Sequence, residues 1–157
     1  MATPYTAPVR SKAGLSGREE VVSVSATFTS TEIGALADGD IAIGILIPYG
    51  ATITDIHFQD SGGDAHASAA TLAWDIGFDW DPNYFTATPV SAANSSAAVQ
   101  WRYSDDVANA AQYQVTGSNH QTDSIKDDTL CVLEVTLETV PATDAADTLT
   151  LTVNYIT

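Results

Sequence analysis

The chain has 157 residues, 45% of them hydrophobic, and sets five basic residues against twenty acidic ones for a formal net charge of −15. That length and apolar content favour one domain with its own core over two domains or a disordered chain. So acidic a surface repels nucleic acid, whose binding needs Lys and Arg against phosphates, and no apolar run approaches the roughly 20 residues of a membrane span.

Residues 1–18 contain Pro4, Pro8, Gly14 and Gly17 and sustain neither a helical nor a strand period. They read as an extended N-terminal arm, with a single domain over residues 19–157. Met1-Ala2-Thr3-Pro4-Tyr5 lacks the apolar centre of a signal peptide. Arg10, Lys12 and Arg18 make the arm basic, whereas Arg102 and Lys126 are the only basic residues after it. At about 3.3 Å per extended residue the arm reaches roughly 50–60 Å. Two readings stand: a loose terminus, or a segment that orders on a neighbouring subunit or partner.

Residues 20–29 alternate, with Val22, Val24, Ala26 and Phe28 on one side and Ser23, Ser25, Thr27 and Thr29 on the other. This is the pattern of a half-buried strand. Residues 31–36 suit a short helical turn. The most strongly patterned stretch follows. Ile41, Ile43, Ile45 and Ile47 recur at every second position, and Ala42, Gly44 and Leu46 between them are apolar but mostly small. Four isoleucines at that spacing line one face of a strand, whereas they would circle a helix. Pro48-Tyr49-Gly50 then breaks the chain before a second strand over residues 51–58. So short a break fits either a β-hairpin or the corner of a sandwich.

Residues 60–70 read as a loop, and residues 71–78 as a strand with Leu72, Trp74, Ile76 and Phe78 inward. Asp79-Trp80-Asp81-Pro82-Asn83 has the residues of a turn. Residues 84–88 suit a short strand and residues 97–103 another. Ser104-Asp105-Asp106 resembles the capped start of a short helix running to residue 112. Residues 119–128 are polar and loop-like. Strands at 130–139 and 148–157 close the chain, the second alternating Leu149, Leu151, Val153 and Tyr155 with polar residues. Seven or eight regularly spaced strands without a long helix give an all-β fold, an antiparallel β-sandwich of jelly-roll or immunoglobulin-like type. The expected core includes Val22, Val24, Phe28, Ile43, Ile45, Trp74, Ile76, Leu133, Val135, Leu151 and Val153.

Signals for chemistry are sparse. A single cysteine, Cys131, excludes an intrachain disulfide and reads as a small buried side chain. His57, His66 and His120 show no metal-ligand spacing, and no Gly-x-Ser-x-Gly elbow or phosphate-binding glycine loop occurs. Asp60 with Asp64, and Asp79 with Asp81, do not fit a calcium loop closed by glutamate and read as solvated loop acids. No catalytic residue, metal or cofactor is expected. Trp80, Tyr84 and Trp101 are candidates for a subunit interface or for stacking on a glycan.

Two segments resemble the small β-sandwich decoration, or cement, proteins of tailed-bacteriophage heads. They are Ala37-Asp38-Gly39-Asp40-Ile41-Ala42-Ile43-Gly44 and Ile47-Pro48-Tyr49-Gly50-Ala51-Thr52-Ile53-Thr54-Asp55. Trp74-Asp75-Ile76-Gly77-Phe78, Asp81-Pro82-Asn83-Tyr84-Phe85 and the Thr-rich end through Val153-Asn154-Tyr155 are similar in the same way. The resemblance implies a homotrimer on the outside of an icosahedral capsid, with the major capsid protein and itself as partners. It implies residence in the host cytoplasm before assembly, and it implies no enzymatic activity. Arg10, Lys12 and Arg18 would then dock on acidic groups of the capsid or of an adjacent subunit. Residues 89–128 carry no resemblance, and a carbohydrate- or receptor-binding module of a fibre or spike is the alternative.

Overall fold

The computed structural model describes residues 5–6, 21–31, 35–66, 68–86, 88–91, 99–103, 113–115 and 130–157. The period-two segments all form strands. In chain order these are β1 (Tyr5–Thr6), β2 (Val21–Ser30), β3 (Ile41–Pro48), β4 (Thr52–Asp60), β5 (Ala73–Phe78), β6 (Val90–Ser91), β7 (Val99–Arg102), β8 (Tyr113–Gln114), β9 (Leu130–Thr139) and β10 (Asp147–Ile156). Among the described residues there is no α-helix, and so none long and apolar enough to cross a membrane.

Two sheets form the expected sandwich. One runs β1-β3-β9-β5-β6 and the other β2-β10-β4-β7, with β8 also on β4. All pairings are antiparallel except that of β1, which lies parallel to β3 with Tyr5 opposite Gly44 and Thr6 opposite Ile45. The start of the arm therefore returns to the edge of its own sandwich. The rest of the arm, including Arg10, Lys12 and Arg18, lies outside the described residues.

The Pro48-Tyr49-Gly50 break is a corner, not a hairpin. β3 pairs with β9 and β4 with β10, so the chain changes sheet there. Gly50 turns it at φ +84°, a backbone conformation open to glycine. Its N–H donates to Val115 O at 2.8 Å, which ties the corner to the short β8 segment. Steps β2 to β3, β4 to β5, β6 to β7 and β9 to β10 likewise cross between sheets.

Between the sheets lies one core, in which Ile45, Ile47, Ile53, Ile56, Phe58, Trp74, Ile76, Leu133, Val135, Leu151 and Val153 are fully buried. Every expected core residue is buried except Phe28, which is partly buried against the cluster. Its place near the end of β2, an edge strand, explains the difference. Residues 84–88 hold no strand among those described; Tyr84 and Phe85 sit in a bend, and the strand begins at Val90. The capped helix over residues 104–112 and the loop over 119–128 lie outside the described residues.

The outer faces of the sheets differ. On the β9 sheet Ala42, Gly44, Gly77, Val132 and Glu134 are buried although they alternate away from the core. Gly77 shows one cause: a Cβ there would collide with the Asp81 carbonyl oxygen and the Pro82 backbone, because the following turn folds directly over it. On the β10 sheet the outer face is a ladder of hydroxyls, with Ser25 to Thr152 at 3.0 Å, Thr27 to Thr150 at 3.4 Å and Thr29 to Thr148 at 3.3 Å.

Candidate interaction surfaces

The turn after β5 is built by its own backbone. Phe78 and Asp81 exchange N–H to O bonds at 3.0 Å each, and Phe85 N donates to Ile76 O at 3.0 Å. Thr86 Oγ1 accepts from Ile76 N at 3.0 Å and donates to Asp75 at 3.3 Å. This places Trp80 parallel to Phe78, with centroids 5.1 Å apart and planes 13° apart. Tyr84 stands edge-on to Trp80 at 5.4 Å, and Phe85 edge-on to Tyr103 at 5.3 Å. Trp101 tilts at 45° against Tyr103.

The three aromatic candidates thus belong to one chain of rings, linked through Phe78, Phe85 and Tyr103. Their planes do not line up into a platform for sugar rings. Trp80 and Trp101 pack against the core, and Tyr84 keeps 38% of its surface exposed. The cluster pins the turn to the sandwich, a packing role that edge-to-face ring contacts serve well.

Asp60 and Asp64 are not solvated loop acids; each is only 1% exposed. Asp64 Oδ2 accepts backbone N–H groups from Thr71 at 2.8 Å, Leu72 at 3.3 Å and Ala142 at 2.8 Å. Its Oδ1 accepts from His66 at 3.0 Å and Thr143 at 3.1 Å. Burial alone would raise its pKa, but the donors from Ala142, His66, Thr71 and Thr143 outweigh that and hold it well below the usual carboxylate range. One carboxylate therefore ties three loop segments together.

Asp60 lies beside Asp147. Its Oδ2 accepts from Trp74 Nε1 at 2.8 Å and its Oδ1 from Gly62 N at 2.6 Å. Burial first, and then the Asp147 charge, push its pKa up to about 6. Asp147 Oδ1 accepts from Ser61 N at 3.0 Å, Ser61 Oγ at 2.6 Å and Thr148 N at 2.6 Å. Sequence reasoning passed over Asp147. These acids are bound to the chain's own donors, and among the described residues no group of three or more His, Cys, Asp or Glu is placed to hold a metal.

The open surface is the outer face of the β10 sheet. Beyond the hydroxyl ladder, β4 contributes Asp55, His57 and Gln59, and β7 contributes Gln100 and Arg102. Arg102 Nε meets Asp55 Oδ2 at 3.2 Å. Beside this pair is a hollow of about 190 Å³ lined by His57, Gln100, Trp101 and Arg102.

No family model matches the chain, and no curated protein matches it. The fold is similar to that of chains in two solved structures. A chain of the capsid asymmetric unit of cyanophage Pam1 superposes with a TM-score of 0.56 at 20% identity, over 94% of this chain and 91% of that one. A chain of the capsid of Ralstonia phage GP4 gives 0.53 at 19% identity, over 98% and 97%. The likeness runs over nearly the whole of each chain, so it concerns the complete sandwich and not a shared hairpin.

Proposed function

We propose that this chain is a non-enzymatic structural protein of a bacteriophage virion, a cement protein that sits as a homotrimer on the outside of the icosahedral capsid. The observation that carries this reading is the strand order. Among the described residues, the eight strands counted from β2 and leaving out β8 pair as first-eighth-third-sixth in one sheet and second-seventh-fourth-fifth in the other. We read that as jelly-roll order, the arrangement common in viral shells, and it accompanies near full-length likeness to chains of two phage capsids. The resemblance around residues 37–55 supplies the cement role and the three-fold placement.

Charge suits such a role. A chain of net charge −15 keeps free copies apart in the host cytoplasm. Arg10, Lys12 and Arg18 dock on acidic groups of the major capsid protein or an adjacent subunit, and the exposed edge of Tyr84 adds an apolar contact. Trimerisation multiplies weak contacts, because the second and third arms bind at high effective concentration. Quantifying this chain against the major capsid protein in gradient-purified particles tests the reading. A copy number comparable to that of the shell subunit is expected; absence from particles, or only a few copies, would refute it.

A further inference from the structure

The outer face of the β10 sheet is polar apart from Val21 and Ile156 at one corner, and at its β4–β7 end it sinks into the hollow of about 190 Å³. His57 lies directly opposite Arg102 in the ladder, and Gln59 opposite Gln100. On the other side of β4, Thr152 is opposite His57 and is itself hydrogen-bonded to Ser25 at 3.0 Å. One row therefore runs Ser25, Thr152, His57, Arg102 across four strands.

Arg102 is the distinctive member of that row. Asp55 engages its Nε at 3.2 Å, and the side chain remains 49% exposed. The pair fixes one edge of the guanidinium and leaves the two terminal nitrogens without a partner among the described residues. Two parallel N–H groups suit the two oxygens of a carboxylate or phosphate. The side chains of His57 and Gln100 likewise have no hydrogen-bond partner among the described residues. An exposed ion pair is worth only about 0–1 kcal/mol, so stability gives little reason for this arrangement. Trp101 packs inward and floors the hollow, so recognition here is polar instead of resting on ring stacking.

We infer that this hollow binds an acidic saccharide: Arg102 grips its carboxylate or phosphate, His57 and Gln100 bond ring hydroxyls, and the Thr152–Ser25 row continues the contact along the sugar chain. The inference is independent of the capsid reading, since it rests on these side chains alone.

The test titrates the full-length protein with an oligogalacturonate, a phosphorylated oligomannose and a neutral oligogalactose, following the amide and imidazole resonances of β4 and β7. At least one acidic probe should shift His57, Gln100 and Arg102, and which acidic probe does so identifies the anionic group. Arg102→Gln should weaken that binding by about tenfold or more. Arg102→Lys, which keeps the charge but loses the fork, should weaken it too while preserving the fold. Equal response to the neutral probe, no response to either acidic probe up to about 10 mM, or undiminished binding by both variants would overturn the inference.

Discussion

Asp60, the last residue of β4, and Asp147, the first of β10, face each other as two buried carboxyls, 1% and 2% exposed. Asp147 Oδ2 has no donor among the described residues, and a proton on Asp60 supplies one. The folded state thus binds that proton more tightly than the unfolded chain does, with a pKa of about 6 against 3.8. Because this carboxyl is raised, its contribution to stability is full below about pH 3.8 and is lost as pH climbs through about 6. Asp60→Asn keeps an acceptor for Trp74 and removes the charge beside Asp147, but turns its amide toward the Gly62 N–H. Relative to wild type, we expect it to be about 1–3 kcal/mol more favourable at pH 7.5 than at pH 4. Urea unfolding at both pH values checks this; equal effects at the two would contradict the shared proton.

Asp64 behaves in the opposite sense. Its depressed pKa gives stability that is present above the unfolded value of 3.8 and lost as pH falls toward the folded one. Asp64→Asn turns an amide donor toward backbone donors and should cost about 2–4 kcal/mol near neutrality. The penalty should shrink in acid, where the wild-type carboxylate also begins to lose its advantage. A penalty independent of pH would count against the anionic clamp.

Gly77→Ala sets a Cβ against the Asp81 and Pro82 backbone, which has no flexible side chain to yield. Repacking the turn should cost about 1–3 kcal/mol and loosen the contact between Trp80 and Phe78. A lower urea midpoint together with changed aromatic resonances is the expected result. An unchanged midpoint would mean that the turn is not held against β5 as described.

Deleting residues 2–18 removes β1 from the edge of β3 along with Arg10, Lys12 and Arg18. The sandwich should still fold, since β3 keeps its long pairing with β9. Occupancy on particles should fall and lose most of its dependence on salt, because the weak, screened ion pairs leave with the arm. Charge reversal at the three basic positions should weaken binding most at low salt. Unaltered occupancy across the salt series would move the attachment to the sandwich itself.

Much of the fold was legible because alternation is local. Val22 and Val24, Ile43 and Ile45, and Leu151 and Val153 announce their inward faces within a few residues. The partners of those strands were not, since Gly44 finds Glu134 and His57 finds Arg102 only through long-range pairing. The three-residue break after Ile47 serves a hairpin or a corner equally well, so the change of sheet at Gly50 had no local signature. The buried acids did leave one. Asp60 shares the parity of Ile56 and Phe58, and Asp147 that of Leu149 and Leu151, so both point inward. The arrangement of the aromatic candidates was not legible for another reason: composition lists rings but not the angles between them, and Trp80 lies flat on Phe78.

Averaged electron cryo-microscopy density of intact particles tests the capsid reading most directly. The account predicts three copies of this sandwich around local three-fold positions on the outer surface of the shell. Density for the chain at a fibre or tail tip instead, or none on the shell, would contradict it.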